Sequence, residues 1–308
     1  MSTPPSLPAN HAERMARAAV ALDGLSVGDA LGETCFRAHN WNAIQADAHT
    51  VCEGPWPWTD DTAMALGIYE VLEEHGTIDQ DALARRFATR YRAQPWRGYG
   101  PGAHRLLDMV GNGHDWRNVA EVVFPGGSYG NGSAMRIAPL AGYFAEDDYA
   151  LIAREARLSA GPTHAHPEGT AGAVATAVAG AYAWKHRDSR AEFATKRGMF
   201  DVVLEHTPRS DVRRGVEVAA TMSFDLSVET VISQVGNGRR ISCQDTVPFC
   251  VWVAANHLDD YRTAIVRTIR AGGDIDTNCA IVGGIVALAV DRAGIPGEWL
   301  TGREELVV

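Results

Sequence analysis

Two stretches of the sequence carry the oxygen ligands that a hard divalent cation needs. Trp58-Thr59-Asp60-Asp61-Thr62 and, some two hundred residues later, Gly272-Gly273-Asp274-Ile275-Asp276-Thr277 each set carboxylates and a threonine hydroxyl at the mouth of an apolar helical run. Anionic and neutral oxygens with no thiolate or imidazole among them suit Mg²⁺ or Mn²⁺, whereas zinc recruits His or Cys. Asp60 and Asp61, adjacent on a helix, point roughly 100° apart, so they serve two ions, or one ion and one water, better than a single chelate. Asp274 and Asp276, two apart, do not share a helix face and are expected in the turn before the helix, with Thr277 entering it. Each carboxylate taken alone also fits an N-cap. The four together would repel one another if they converged without a cation, and that repulsion is the reason to read the two stretches as halves of one metal site.

Three further stretches bear on chemistry. Gly126-Gly127-Ser128-Tyr129-Gly130-Asn131-Gly132-Ser133-Ala134-Met135-Arg136 places four glycines in seven residues ahead of an apolar helical run through Met135, Ile137, Leu140 and Ala141. A loop that feeds a helix N-terminus exposes N–H groups able to hold a diphosphate, although the same pattern also makes a plain turn. No Val/Ile strand precedes it, so it fails the dinucleotide fingerprint. Gly28-Asp29-Ala30-Leu31-Gly32-Glu33 spaces two glycines for a close backbone approach, and Asp29 between them is either functional or a cap or buried acceptor for a backbone N–H. Thr163-His164-Ala165-His166 opens a helix; with no Cys or third His nearby, the histidines suit ligand hydrogen bonding or capping better than metal.

The elements that must position these residues are helical. Apolar residues at three- and four-residue spacings predict a helix from His11 to Phe36, one after Thr59 that stops at Gly76, and one capped by Asp79 that runs through Leu83, Phe87 and Tyr91. Further helical runs carry Leu106, Leu107 and Val110, then span Asp147–Ala160, the Ala/Gly-rich stretch to Trp184, Arg190–Leu204, Val212–Met222 and Val228–Val235. Asp245 is expected to cap a helix with Pro248 in its first turn, and the last long helix to begin after Asp276 and end near Gly294. The segment from Arg37 to Pro57 has little periodicity and reads as a loop over the site. No alternating strands, heptads or fixed-period repeat occur, so the expected fold class is all-α, a single domain at 12–305 behind a flexible tail at 1–11.

At 308 residues and 46% hydrophobic, the chain can bury a large core. Its formal net charge of -10 argues against a surface that coats nucleic acid or binds anionic membranes, since both need clustered Lys and Arg. Five scattered cysteines without a CxxC pair indicate neither a disulfide framework nor a zinc site, and the N-terminus lacks a signal-peptide pattern. These features predict a cytoplasmic monomer with no membrane partner. Paired Asp clusters with Mg²⁺ in a helical bundle also describe prenyl-diphosphate enzymes, but those need carboxylates three or four apart on one helix face, a spacing that neither Asp60-Asp61 nor Asp274-Asp276 has.

In order, Gly28-Asp29-Ala30-Leu31-Gly32, Thr59-Asp60-Asp61-Thr62, Gly127-Ser128-Tyr129-Gly130-Asn131-Gly132 through Met135-Arg136, Thr163-His164, Asp245-Thr246-Val247-Pro248 and Gly272-Gly273-Asp274 through Thr277 resemble the landmarks of the ADP-ribosylglycohydrolases. That family includes the dinitrogenase-reductase-activating glycohydrolase and the ADP-ribosyl-serine and ADP-ribosyl-arginine hydrolases. The resemblance covers about residues 12 to 300. It implies an all-α orthogonal helical bundle with a binuclear Mg²⁺ or Mn²⁺ centre, with Thr59, Asp60, Asp61, Asp274, Asp276 and Thr277 as ligands. It also implies an ADP-ribose-bearing substrate held by Gly127, Ser128, Tyr129, Gly130, Asn131 and His164, and hydrolysis at ribose C1 with Asp61 in a catalytic role. In the serine-type relatives a catalytic glutamate sits four residues after the second glycine of the first motif; here that position is Phe36. Glu33, one helical turn earlier, is the only carboxylate nearby, and it is either a partial substitute or a surface residue. The alternative is a member of the same fold that binds ADP-ribose and metal without hydrolysis.

Overall fold

The structure, a computed structural model, describes residues 7–47 and 53–307. The expected N-terminal tail lies, up to Ser6, outside the described residues, as does the stretch 48–52 of the expected loop. Seventeen α-helices and no strand occur among the described residues. In chain order they are α1 (His11–Thr34), α2 (Ala38–Ala46), α3 (Asp60–His75), α4 (Gln80–Ala93), α5 (Pro101–Gly111) and α6 (Trp116–Val123). Then come α7 (Gly132–Met135), α8 (Ala138–Tyr143), α9 (Tyr149–Ala160), α10 (Pro167–Lys185), α11 (Phe193–His206) and α12 (Asp211–Thr221). The chain closes with α13 (Val228–Val235), α14 (Cys243–Asn256), α15 (Tyr261–Ala271), α16 (Ile275–Val290) and α17 (Gly297–Gly302). The all-α class expected from periodicity is the observed one.

The core is built on helices too apolar to sit at a surface. α10 and α16 are buried along nearly their whole length, as a helix without a polar face must be. α1 runs antiparallel to α16: Gly24 meets Gly283 and Ala287, Gly28 meets Cys279, and Gly32 meets Asp276. A Cβ on Gly28 would lie 2.1 Å from the Cys279 carbonyl oxygen, so the two backbones touch there and no side chain fits. Gly28→Ala is therefore expected to push the helices apart and to cost about 1–3 kcal/mol or more, read as a lower urea midpoint with an unchanged m value. This close contact sets the end of α1 beside the start of α16.

Helix starts follow local chemistry. The side chains of Thr59, Asp79, Asp115, Asp148, Ser210, Ser227 and Asp260 each accept a hydrogen bond from an N–H of the first turn, a contact worth about 0.5–2 kcal/mol. Five expectations are corrected. The segment after Arg37 contains α2, because Trp41 and Ile44, three apart, pack it toward α15, and tertiary contact outweighs its weak periodicity. The run after the glycine-rich loop is two short helices rather than one, interrupted at Arg136-Ile137 with Pro139 in the first turn of α8. Asp245 is not a cap: α14 starts at Cys243 after Ser242, and the Asp245 carboxylate accepts from the Arg240 N–H. Pro248 consequently lies inside α14, past the first turn. Asp276 likewise sits in the first turn of α16, with Asp274 alone preceding the helix.

Candidate active site

Three helix ends converge to make the site. Asp29 on α1 is fully buried, and its carboxylate accepts from the Thr59 N–H at 3.0 Å, the Thr59 hydroxyl at 2.9 Å, the Thr62 N–H at 3.1 Å and the Thr62 hydroxyl. Four donors on one carboxylate fix the first turn of α3 against α1. Asp29 is a buried acceptor of backbone N–H groups and also borders the acidic cluster. Thr59 caps the helix by accepting from the Asp61 N–H, which leaves Asp60 and Asp61 at the positive end of the α3 dipole. Asp274 and Asp276 hold the same place on α16, and the Thr277 hydroxyl reaches Asp61 Oδ1 at 3.4 Å.

The loop before α3 is held from the far end of the chain. Trp56 N–H donates to the Gly302 carbonyl and Glu304 N–H donates back to the Trp56 carbonyl. Arg97 makes two bonds to the Glu304 carboxylate, at 2.6 and 2.7 Å, donates to the Trp58 carbonyl, and stacks its guanidinium 3.4 Å above the Trp58 ring. The Arg97 carbonyl in turn accepts from the Asp60 N–H at 2.7 Å. This clasp leaves no local signature, because its partners lie far apart in the chain.

The acidic cluster is short of donors. Ligand oxygens of Asp29, Asp61 and Asp276 lie within 4.8 Å of one another, and Asp61 Oδ2 and Asp276 Oδ1 are buried without a hydrogen-bond partner among the described residues. Burial, with the negative charge of Asp29 behind it, pushes the Asp60 carboxyl up to about 7. Burial and the Asp276 charge push Asp61 well above the usual carboxylate range; burial and the Asp274 charge do the same to Asp276. Asp274 is raised by burial against the pull of an Asn131 hydrogen bond. Buried carboxylates with orphaned oxygens and no thiol or imidazole in the set fit a hard divalent cation, which would supply the missing positive charge.

The acids form one end of a cavity of about 340 Å³. Asp60, Asp61, Asp274, Asp276 and Thr277 line that end; Ser128, Gly130, Asn131, Gly132 and His164 line another wall; Leu106, Leu107 and Phe124 supply an apolar side. The apolar wall and Ile241 escaped sequence reasoning. Ile241 lies at φ 52°, a costly place for a β-branched residue, within the turn that follows Gly236-Asn237-Gly238. No described residue of 37–58 lines the cavity.

The glycine-rich loop reaches the acids through Asn131, whose amide donates to Asp274 Oδ2 at 2.6 Å and to the Thr246 hydroxyl at 3.1 Å. The Ser128 hydroxyl accepts from the Gly130 N–H at 3.2 Å, folding the loop into a small turn. Gly127, at φ 88°, lies where a Cβ would be 2.2 Å from the His166 nitrogen; its place is set by that close approach, not by the cavity. Tyr129 is 54% exposed, edge-on to the His166 ring at 5.6 Å. His166 Nδ1 caps α10 by accepting from the Glu168 N–H, so the two histidines divide: His166 caps and His164 faces the cavity. Glu33, in the last turn of α1, is half-buried and outside the cavity lining, its carboxyl raised by burial and the Asp29 charge against the pull of Arg37. Phe36 is 54% exposed in the turn after α1.

The family model described as ADP-ribosylglycohydrolase matches residues 10–307. The chain is 28% identical to ADP-ribosylhydrolase ARH3 of Mus musculus over 321 residues, covering 90% of this chain and 85% of that one. The Bos taurus protein of the same name is 30% identical over 270 residues, covering 79% and 73%. An uncharacterized protein of Archaeoglobus fulgidus is 29% identical, covering 92% and 90%. A solved structure described as an ADP-ribosylglycohydrolase-related protein complex superposes with a TM-score of 0.64 at 25% identity, covering 95% of this chain and 94% of its own. With its acids, glycine-rich loop and helical frame spanned by one family match, the chain belongs to the ADP-ribosylglycohydrolase family.

Proposed function

We propose that this protein is a metal-dependent hydrolase that cleaves the glycosidic bond at ribose C1 of ADP-ribosylated substrates and releases ADP-ribose. One observation carries the reading: a single cavity brings the two acidic clusters, separated by some two hundred residues of sequence, together with the glycine-rich loop. Thr59, Asp60, Asp61, Asp274, Asp276 and Thr277 would hold two ions of Mg²⁺ or Mn²⁺. Such ions supply Lewis-acid charge that fixes ribose hydroxyls and stabilises an oxocarbenium-like transition state.

The chain's own residues do the rest. Ser128 and Gly130, with Asn131 behind them, seat the diphosphate, and Tyr129 and Gly127 shape the loop that carries them. Water adds to C1 as the bond to the acceptor breaks; Asp61 takes the proton of that water, and the departing acceptor is protonated by a solvent water, through which Glu33, outside the cavity lining, would have to act. Buried thiols at Cys243, Cys250 and Cys279 suit action in a reducing cytoplasmic compartment, and no described helix is long and apolar enough to cross a membrane. The reading includes a monomer.

Phe36 favours a second reading, a protein that binds ADP-ribose with metal and does not hydrolyse. The deciding experiment is mass-spectrometric detection of free ADP-ribose from arginine-, serine-, acyl- and nucleic-acid-linked substrates, with Mg²⁺ or Mn²⁺ and with EDTA. Metal-dependent release from at least one linkage is the expected result. Tight metal-dependent binding with every linkage intact would leave the second reading standing.

A further inference from the structure

Arg136 is fully buried, and its partners among the described residues include no carboxylate. Its Nη2 donates to the Ser159 carbonyl at 2.9 Å and to the Thr163 hydroxyl at 2.8 Å; its guanidinium lies over the Phe87 ring at 4.5 Å, and Nη1 faces the Met64 sulfur. A buried cation served by one carbonyl, one hydroxyl and soft groups is costly; the carbonyl belongs to the last turn of α9, and the hydroxyl leads to the cavity.

Its effect passes through Thr163. That hydroxyl also lies 2.8 Å from His164 Nδ1. Arginine only donates, so the Thr163 oxygen must accept from Nη2. Were Nδ1 protonated, the oxygen would accept a second time and the hydroxyl hydrogen would be left buried with no partner among the described residues, at a cost of about 1–3 kcal/mol. The hydroxyl therefore donates to Nδ1, and the ring proton belongs on Nε2. Nε2 has no protein partner among the described residues and lies in the corner where Gly130 and Gly132 come closest, with 3.3 and 2.9 Å to the Cβ positions those glycines leave empty.

We propose that Arg136 and Thr163 are positioning residues that lock His164 into a single tautomer, making it a permanent neutral donor through Nε2–H to an acceptor oxygen of the bound ligand. Burial, and then the Arg136 charge, support this by pushing His164 down to about 3, so the ring gains no second proton. The corner accepts an oxygen and rejects a group that can only donate. The identity of that ligand as ADP-ribose rests on the function proposed above; the lock itself does not.

The test separates the two. On protein with ¹⁵N-labelled histidine near neutral pH, long-range ¹H–¹⁵N correlation of the ligand-free protein is expected to show His164 with Nε2 protonated and Nδ1 bare. Thr163→Val, which keeps the shape and removes the hydroxyl, is expected to shift the ring toward the other tautomer and to weaken ADP-ribose binding about tenfold by calorimetry. Thr163→Ser is expected to restore both. A wild-type ring protonated on Nδ1, or a tautomer unchanged by Thr163→Val, overturns the proposal, and the wild-type spectrum decides even if the valine variant fails to fold. The expected tautomer without any ADP-ribose binding would keep the lock and sink the functional reading.

Discussion

Asp61→Asn is expected to abolish ADP-ribose release, lowering turnover about a thousandfold or more, while raising the stability of the metal-free protein by about 1–3 kcal/mol at neutral pH. The two effects have one cause. The Asp61 carboxylate is 1% exposed, with one oxygen lacking any partner, beside the Asp276 charge. Neutralising it removes a repulsion that only a cation relieves, and removes the ligand and base at once. The matching pH profile has a definite sign. Asp60 titrates near 3.8 in the unfolded chain and is pushed to about 7 in the fold, so the native state holds the extra proton between these values. In chelator, the contribution is complete below about pH 4 and declines as the pH rises through about 7; Asp61 and Asp276, raised well above the usual range, extend the decline upward. Saturating Mg²⁺ or Mn²⁺ should reverse it. Thermal unfolding of wild type and variant across pH, with EDTA or metal, tests this: a wild-type protein whose metal-free stability climbs from pH 4 to 7 contradicts the assignment.

Asp29→Asn is expected to cost about 2–4 kcal/mol of stability and about 10–100-fold in metal affinity or activity, though Asp29 is outside the proposed ligand set. Both carboxylate oxygens accept, one from the Thr59 hydroxyl and the other from two N–H groups and the Thr62 hydroxyl. An asparagine must turn its NH₂ either toward the two N–H groups, donor against donor, or toward the Thr59 hydroxyl, which must then accept and leave its own hydrogen without this partner. The first turn of α3 then loses its anchor, and Asp60 and Asp61 lose their aim. Isothermal titration with Mn²⁺ and urea unfolding read the two losses separately. Unimpaired Mn²⁺ binding by Asp29→Asn would show that α3 needs no such anchor.

What could be read from the sequence was what is local. The starts of α3 and α4 are written in Thr59 and Asp79, whose side chains bond within three residues, and the all-α class in the three- and four-residue spacings. The acidic stretches announced themselves because four carboxylates in two threonine-bearing clusters are hard to explain otherwise. Contacts across long separations left no local trace. The Arg97 clasp on Glu304, the Leu106-Leu107-Phe124 wall and the Arg136-Thr163 pair each join elements whose nearness depends on the finished fold. α2 was missed because nine residues with Trp41 and Ile44 make too short a pattern to read without the helix that covers them. Asp245 was misplaced because its capping chemistry is used on Arg240, in the preceding loop, rather than on its own helix.

The pairing of α1 with α16 also bears on how the chain is made. A ribosome adding 5–20 residues per second delivers the second acidic cluster about 10–40 s after the first. Throughout that interval the partners that Gly24, Gly28 and Gly32 meet in the fold, Gly283, Cys279 and Asp276, are not yet made, and Asp60 and Asp61 lack the second half of their cluster. The site cannot select its ion during synthesis. It closes only when α16 seats and Arg97 takes Glu304, so the nascent chain carries its charges harmlessly in solvent, and the expense of burying them falls on the final docking step.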